Sequence, residues 1–134
     1  MKKTVPAVIA VFVALAVVEF LLHSVLLAGI YEQTAGLWRT MDEIKSLSWL
    51  MHVSYLILAV VLVIIYSKGY EPAKPGLAQG LRFGVLTGLF MSVPMALNCY
   101  AVMPIPVSLA LGWFVGGMTE MLIAGALIGL MYRR

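Results

Sequence analysis

Four ionisable side chains interrupt otherwise apolar stretches of this sequence: Glu19, His23, His52 and Glu120. Such groups are costly inside a bilayer, so they face a cavity, a partner or a ligand. Glu19 and His23 are four residues apart and share one face of a helix. Depth follows from a rise of about 1.5 Å per residue, counted from the ends of the apolar runs. His23 lies seven residues before Ile30 and His52 five after Leu47; Glu19 lies eleven before Ile30 and Glu120 fourteen after Pro106. The two histidines are therefore expected at one level near a membrane surface, and the two glutamates at a second level near the middle. Asn98, Cys99 and Trp113 fall near the same surface and are the expected lining of a shared pocket.

Three kinds of chemistry suit such a cluster. Neutral imidazoles and carboxylates suit a transition metal, Zn, Fe or Mn. A buried carboxyl beside an imidazole suits movement of protons or a cation. Haem is the weaker cofactor expectation: His23 and His52 would ligate it from opposite sides, but the glycines that make room lie on other helices. The remaining outcome is a satisfied network with no ligand, Glu19 bonded to a histidine and Glu120 protonated against a backbone carbonyl. Met91 and Met95 are soft ligands that invite copper, yet flexible apolar packing accounts for methionine in a bundle equally well. No Ser-His-Asp order or phosphate loop occurs, so the sequence reads as a binding, transport or accessory protein rather than an enzyme.

The elements that position these groups follow from composition. Of 134 residues, 63% are hydrophobic and 11% charged, with a mean hydropathy of +1.02. Soluble domains are nearer a quarter charged, so the lipid bilayer is the expected surrounding. Apolar runs at about 5–30, 47–66, 77–102 and 106–132 each have the length of a transmembrane helix. They leave no room for a soluble catalytic domain or a nucleic-acid module. The expected fold is a single all-α domain, an up-down-up-down bundle of four spans. The run after Met1-Lys2-Lys3 is too long for a secretory signal and reads as an uncleaved first span. Cys99 is the only cysteine, which excludes an intrachain disulfide and any Cys-x-x-Cys site.

Lys2, Lys3, Lys68, Lys74, Arg82, Arg133 and Arg134 fall on one side of these spans, against Arg39 and Lys45 on the other. This bias places both termini in the cytoplasm of a bacterial-type inner membrane. The loop 31–46 then lies outside, and Thr40-Met41-Asp42-Glu43 has the spacing of a capping box that starts a helix at Met41. Gly80, Gly84, Gly88, Ser92 and Ala96 form a row of small residues on the third span. Gly112, Gly116 and Ala124, with Gly117 beside them, form another on the fourth. Such rows let helices approach closely in lipid. One row is expected inside the bundle and the other against a second copy, giving a homo-oligomer or a subunit of a membrane complex. The first two spans, rich in Leu, Val and Ile, are expected to face lipid.

The stretch Glu19-Phe20-Leu21-Leu22-His23, then Tyr31 and Thr34-Ala35-Gly36-Leu37-Trp38-Arg39, resembles the first span and loop of a family of small, uncharacterised four-helix bacterial membrane proteins. Met103-Pro104-Ile105-Pro106 and Trp113 resemble its second hairpin. The resemblance implies a four-span fold in a bacterial membrane and supplies no activity.

Overall fold

Long runs of Leu, Val, Ile, Ala and Met favour helix, because in lipid the backbone bonds must close within each segment, and the third run stays helical through its interior Pro94. In the computed structural model, which describes residues 4–132, the chain is an all-α four-helix bundle. Lys2, Lys3, Arg133 and Arg134, four of the basic residues that suggest an orientation, lie outside the described residues. Helix α1 spans Thr4–Leu21 and continues through a π-helical turn, Leu22–Leu26, into the short α2, Ala28–Gln33. A 3₁₀ turn, Ala35–Leu37, leads to α3, Met41–Lys68; α4 spans Gly76–Val102 and α5 Val107–Met131. Four helices, with α1 counted through its π turn, are long and apolar enough to cross a membrane.

Helix α3 starts where its capping box dictates. The Thr40 hydroxyl accepts from the Glu43 amide at 3.4 Å, and the Glu43 carboxylate accepts from the Thr40 amide at 2.9 Å. The helix therefore begins six residues before the apolar run that starts at Leu47. At the opposite end of the bundle, the 69–75 loop is tied down by buried Gln79. Its amide nitrogen donates to the carbonyls of Glu71 and Lys74, and its amide oxygen accepts from the Glu71 amide, each at 2.9 Å.

Helices α4 and α5 make the most extensive contact in the bundle. Gly76, Gly80 and Gly84 are placed so that an added Cβ would strike the backbone of Gly129, Gly125 and Met121 in turn. Gly117 takes the Ser92 side chain in the same way. The row on the other side of α5 has a different partner: a Cβ on Gly112 or Gly116 would meet the Leu27 and Leu22 side chains. Both small-residue rows are thus filled within the chain, and neither is left to meet a second copy as expected of one of them.

That first span also departs from a straight helix and from the expected lipid-facing position. Ala7, Val11 and Leu15 of α1 are fully buried against Ala59, Leu62, Val63 and Tyr66 of α3 and Met121, Ala124 and Ile128 of α5. Leu22 and Leu27, five apart, would point about 140° apart on an α-helix of 100° per residue. The wider π turn, closed by the Leu27 amide on the Leu22 carbonyl at 2.8 Å, lets both enter the Gly116 and Gly112 notches.

Two outcomes follow. Gly80→Ala should destabilise the fold by about 1–3 kcal/mol, since backbone must move to admit the methyl, whereas Gly29→Ala, which meets nothing within 4 Å, should change stability by less than about 0.5 kcal/mol; reversible unfolding in mixed detergent micelles measures both. In the 69–75 loop, the Lys74 ammonium 2.6 Å from Glu71 holds that carboxyl below the usual glutamate range, with Arg82 adding to it. Its support is complete above the ordinary glutamate pKa and lost as pH falls through the depressed one. Acid titration followed at the loop amides should register that loss in the native chain and not in Glu71→Gln.

Candidate functional site

The buried row of α1 continues by the same four-residue step into polar groups: Ala7, Val11, Leu15, then Glu19 and His23. Glu120 occupies the corresponding place on α5, between Gly116 and Ala124. Its residue is 8% exposed, and its Oε1 atom is buried with no hydrogen-bond partner. The Glu120 carboxyl and the Tyr55 hydroxyl of α3 both lie beside the carboxyl of Glu19. Three helices therefore bring Glu19, Tyr55 and Glu120 to one point.

From there a chain of polar contacts runs toward the loop end of the bundle. His23 Nε2 lies 3.0 Å from Glu19 Oε2, and His23 Nδ1 lies 2.6 Å from the hydroxyl of Tyr31 on α2. The Trp113 indole N–H donates to that same hydroxyl at 2.7 Å. Burial pushes the Tyr31 phenol above its ordinary pKa, and the Trp113 donor only partly offsets this, so the phenol keeps its proton. The π turn carries His23 between the two partners. Trp38 packs edge-on against both Tyr31 and Trp113 and anchors itself by donating to Thr34 Oγ1 at 2.9 Å. The relay thus ends under an aromatic cap.

Accessibility differs between the two sides of the cluster. Toward the end carrying residues 69–75, the site is closed by Leu15, Ala59, Met121 and Ala124. Toward the loop end, α3 has no buried residue between Met41 and Leu58 and takes no part in the second apolar core, formed by Leu27, Ile105, Leu109, Ala110 and Trp113. The Glu19 and His23 side chains keep 23% and 33% of their surface exposed.

The expected four-residue cluster is only partly assembled. Glu19, His23 and Glu120 come together. His52 is exposed, and its Nδ1 bonds the Ser48 carbonyl of its own helix at 2.8 Å. It shares the face of α3 that carries Tyr55, Ala59 and Tyr66, but this half of α3 lies away from the other helices. Among the pocket-lining expectations, Trp113 is buried and joins the relay. Cys99 packs against the second apolar core, and Asn98 is exposed away from the carboxyls. Both ring nitrogens of His23 are already engaged, so a metal or haem ligand there would have to displace Glu19 or Tyr31. Among the described residues, no three His, Cys, Asp or Glu side chains stand close enough to hold a metal ion.

No family model, curated protein or solved structure matches the chain. Tyr31 and Tyr55 are the site residues that sequence reasoning did not assign. Tyr55 carries a usable signal, lying one helical turn before Ala59 in the row that packs on α1. Tyr31, eight residues from His23, comes within reach of its ring only through the π turn.

Substituting His52 by Gln should leave stability within about 0.5 kcal/mol, because it supports only its own helix. Glu19→Leu should cost roughly 3 kcal/mol, since His23 loses its acceptor in a half-buried setting. Unfolding of both variants in detergent micelles, scored against the native chain, checks the contrast.

Proposed function

We propose that the chain is a multi-pass protein of a bacterial-type inner membrane, with both termini cytoplasmic, that takes up and releases a proton at the Glu19–Glu120 pair. The observation that carries this reading is the Glu120 Oε1 atom, buried and without a partner on a carboxyl that lies beside a second carboxyl. Two carboxylates in contact repel, and a single proton held between them removes the repulsion and supplies a hydrogen bond. His23, bonded to Glu19, links the pair to Tyr31 at the loop end. With the positive-inside bias as guide, that is the outer face, and the pair exchanges protons with it. Passage to the inner face requires the apolar half around Leu15 and Met121 to open, so the reading is of a gated carrier rather than a standing channel. Membership of the small four-helix bacterial family rests on the resemblance at residues 19–39 and 103–113 and adds no activity.

One observation favours a second reading, an accessory subunit of a membrane complex. The loop-end half of α3 leaves polar Ser54 and His52 uncovered, and a further helix, from a second copy or another protein, would satisfy that face.

Proteoliposomes with an entrapped pH dye and an imposed pH gradient separate the two. The proton reading expects the native chain to dissipate the gradient faster than empty vesicles, and Glu120→Gln to slow it by about tenfold or more at unchanged helicity. Equal flux in the native chain and Glu120→Gln would overturn it, and an absence of flux in both would leave the accessory reading.

A further inference from the structure

We propose that Trp113 and Tyr31 are positioning residues that hold His23 in a single neutral tautomer, with its proton on Nε2 and aimed at Glu19. The inference rests on the proton reading above and deepens it, because it fixes which atom of His23 presents a hydrogen to the carboxyl pair and which accepts one from Tyr31.

Trp113 is the fixed donor of the relay. An indole N–H can only donate, so the 2.7 Å contact from Trp113 occupies an acceptor site on the Tyr31 oxygen. The protonated phenol has one hydrogen of its own to place, and its other polar neighbour is His23 Nδ1 at 2.6 Å. If Tyr31 donates to Nδ1, then Nδ1 carries the lone pair, Nε2 carries the hydrogen, and that hydrogen meets Glu19 Oε2 at 3.0 Å. Every donor then has an acceptor. With the proton on Nδ1 instead, the Tyr31 oxygen receives two donors, its own hydrogen has no partner, and Nε2 turns a lone pair toward a carboxylate. A doubly protonated imidazole leaves the same phenol hydrogen unplaced. An unmade bond in a half-buried site costs on the scale of a hydrogen bond itself, which is enough to bias the tautomers about tenfold.

The groups that face His23 are consistent with this polarity. From its own helix comes Glu19; from α2, Tyr31; from α5, Trp113, and Glu120 on the far side of Glu19; from α3, Tyr55, also beside Glu19. Helix α4 contributes Cys99 to the apolar core around Trp113. No lysine or arginine is among these neighbours to compete for Glu19. The single hydrogen of His23 therefore points from Nε2 to Glu19, and the Tyr31 hydroxyl, itself accepting from Trp113, points its hydrogen to Nδ1.

The chain has two histidines, so His52→Gln leaves His23 as the only imidazole. Nitrogen-15 spectra of that protein in lipid bilayers at mildly alkaline pH read the tautomer directly. The expected result is an Nε2-protonated ring, in about tenfold excess, whose Nδ1 accepts a hydrogen bond. Adding Trp113→Phe should let the phenol hydrogen turn toward the vacated side and narrow that excess, although Glu19 still favours a hydrogen on Nε2, whereas Tyr31→Phe should remove the hydrogen-bond signature at Nδ1. An Nδ1-protonated ring or an imidazolium in the His52→Gln protein overturns the proposal, and so does a tautomer ratio that Trp113→Phe leaves unchanged. The first of these needs no variant in the relay, so it stands even if Trp113→Phe does not fold. A tautomer of the expected kind together with no Glu120-dependent flux would sink the proton reading alone.

Discussion

The fold depends on helix α5 being nearly bare on two sides. Gly125 and Gly129 meet the α4 backbone directly, while Gly112 and Gly116 admit Leu27 and Leu22 from the first span. In lipid there is little hydrophobic drive between helices, so close packing of backbone and side chain is what holds them. Contact this near also excludes water and acyl chains from the seam. Glu120 sits in that seam, four residues beyond Gly116 and four before Ala124. The packing that stabilises the bundle is thereby also the reason its carboxyl is buried, and the same row that admits Leu22 brings Glu19, three residues earlier on α1, against it.

The π turn is the second consequence of the glycine spacing. Notches four residues apart on α5 are filled by leucines five residues apart on the first span, and an α-helix cannot present both. Widening one turn reconciles the two periods, and it re-aims His23 so that one nitrogen faces back to Glu19 and the other forward to Tyr31. π turns recur at functional sites because they redirect a side chain without breaking the helix. Here the redirected side chain is the one that links the buried carboxyls to the loop end.

Much of this was legible in the sequence. Helix number and class follow from four apolar runs, the α3 start from Thr40 and Glu43, and the α4–α5 seam from the four-residue spacing of small residues. Matched depth placed Glu19 and Glu120 at one level, and the structure sets them side by side. Depth counting has no angular information, however. It put His52 level with His23, but whether a helix lies close enough at that level depends on how it tilts, and the loop-end half of α3 stands apart. Tyr31 was hidden for a different reason. Eight residues from His23 along a regular helix, about 12 Å by rise alone, it reaches the ring only because the π turn and the break at Leu27 shorten and turn the path. A mismatch between glycine and leucine spacing is in principle visible in sequence, but only once it is known which two helices meet.

The two halves of the bundle divide the physical tasks. In the half nearer the 69–75 loop, α1, α3 and α5 close on Val11, Leu15, Val63 and Ile128, all within 1% of full burial, and the aromatic group Tyr66, Tyr70 and Tyr132 covers its end. In the other half α3 withdraws, and the α1–α5 contact is roofed by the loop through Tyr31 and Trp38. The carboxyl pair lies at the boundary, with dense apolar packing on one side and a hydrogen-bonded relay on the other. An ionised group facing only the first side would be prohibitively costly, and facing only water it would have no special property. At the boundary, the apolar packing raises the cost of charge on the pair, and the hydrogen bonds of the relay lower it.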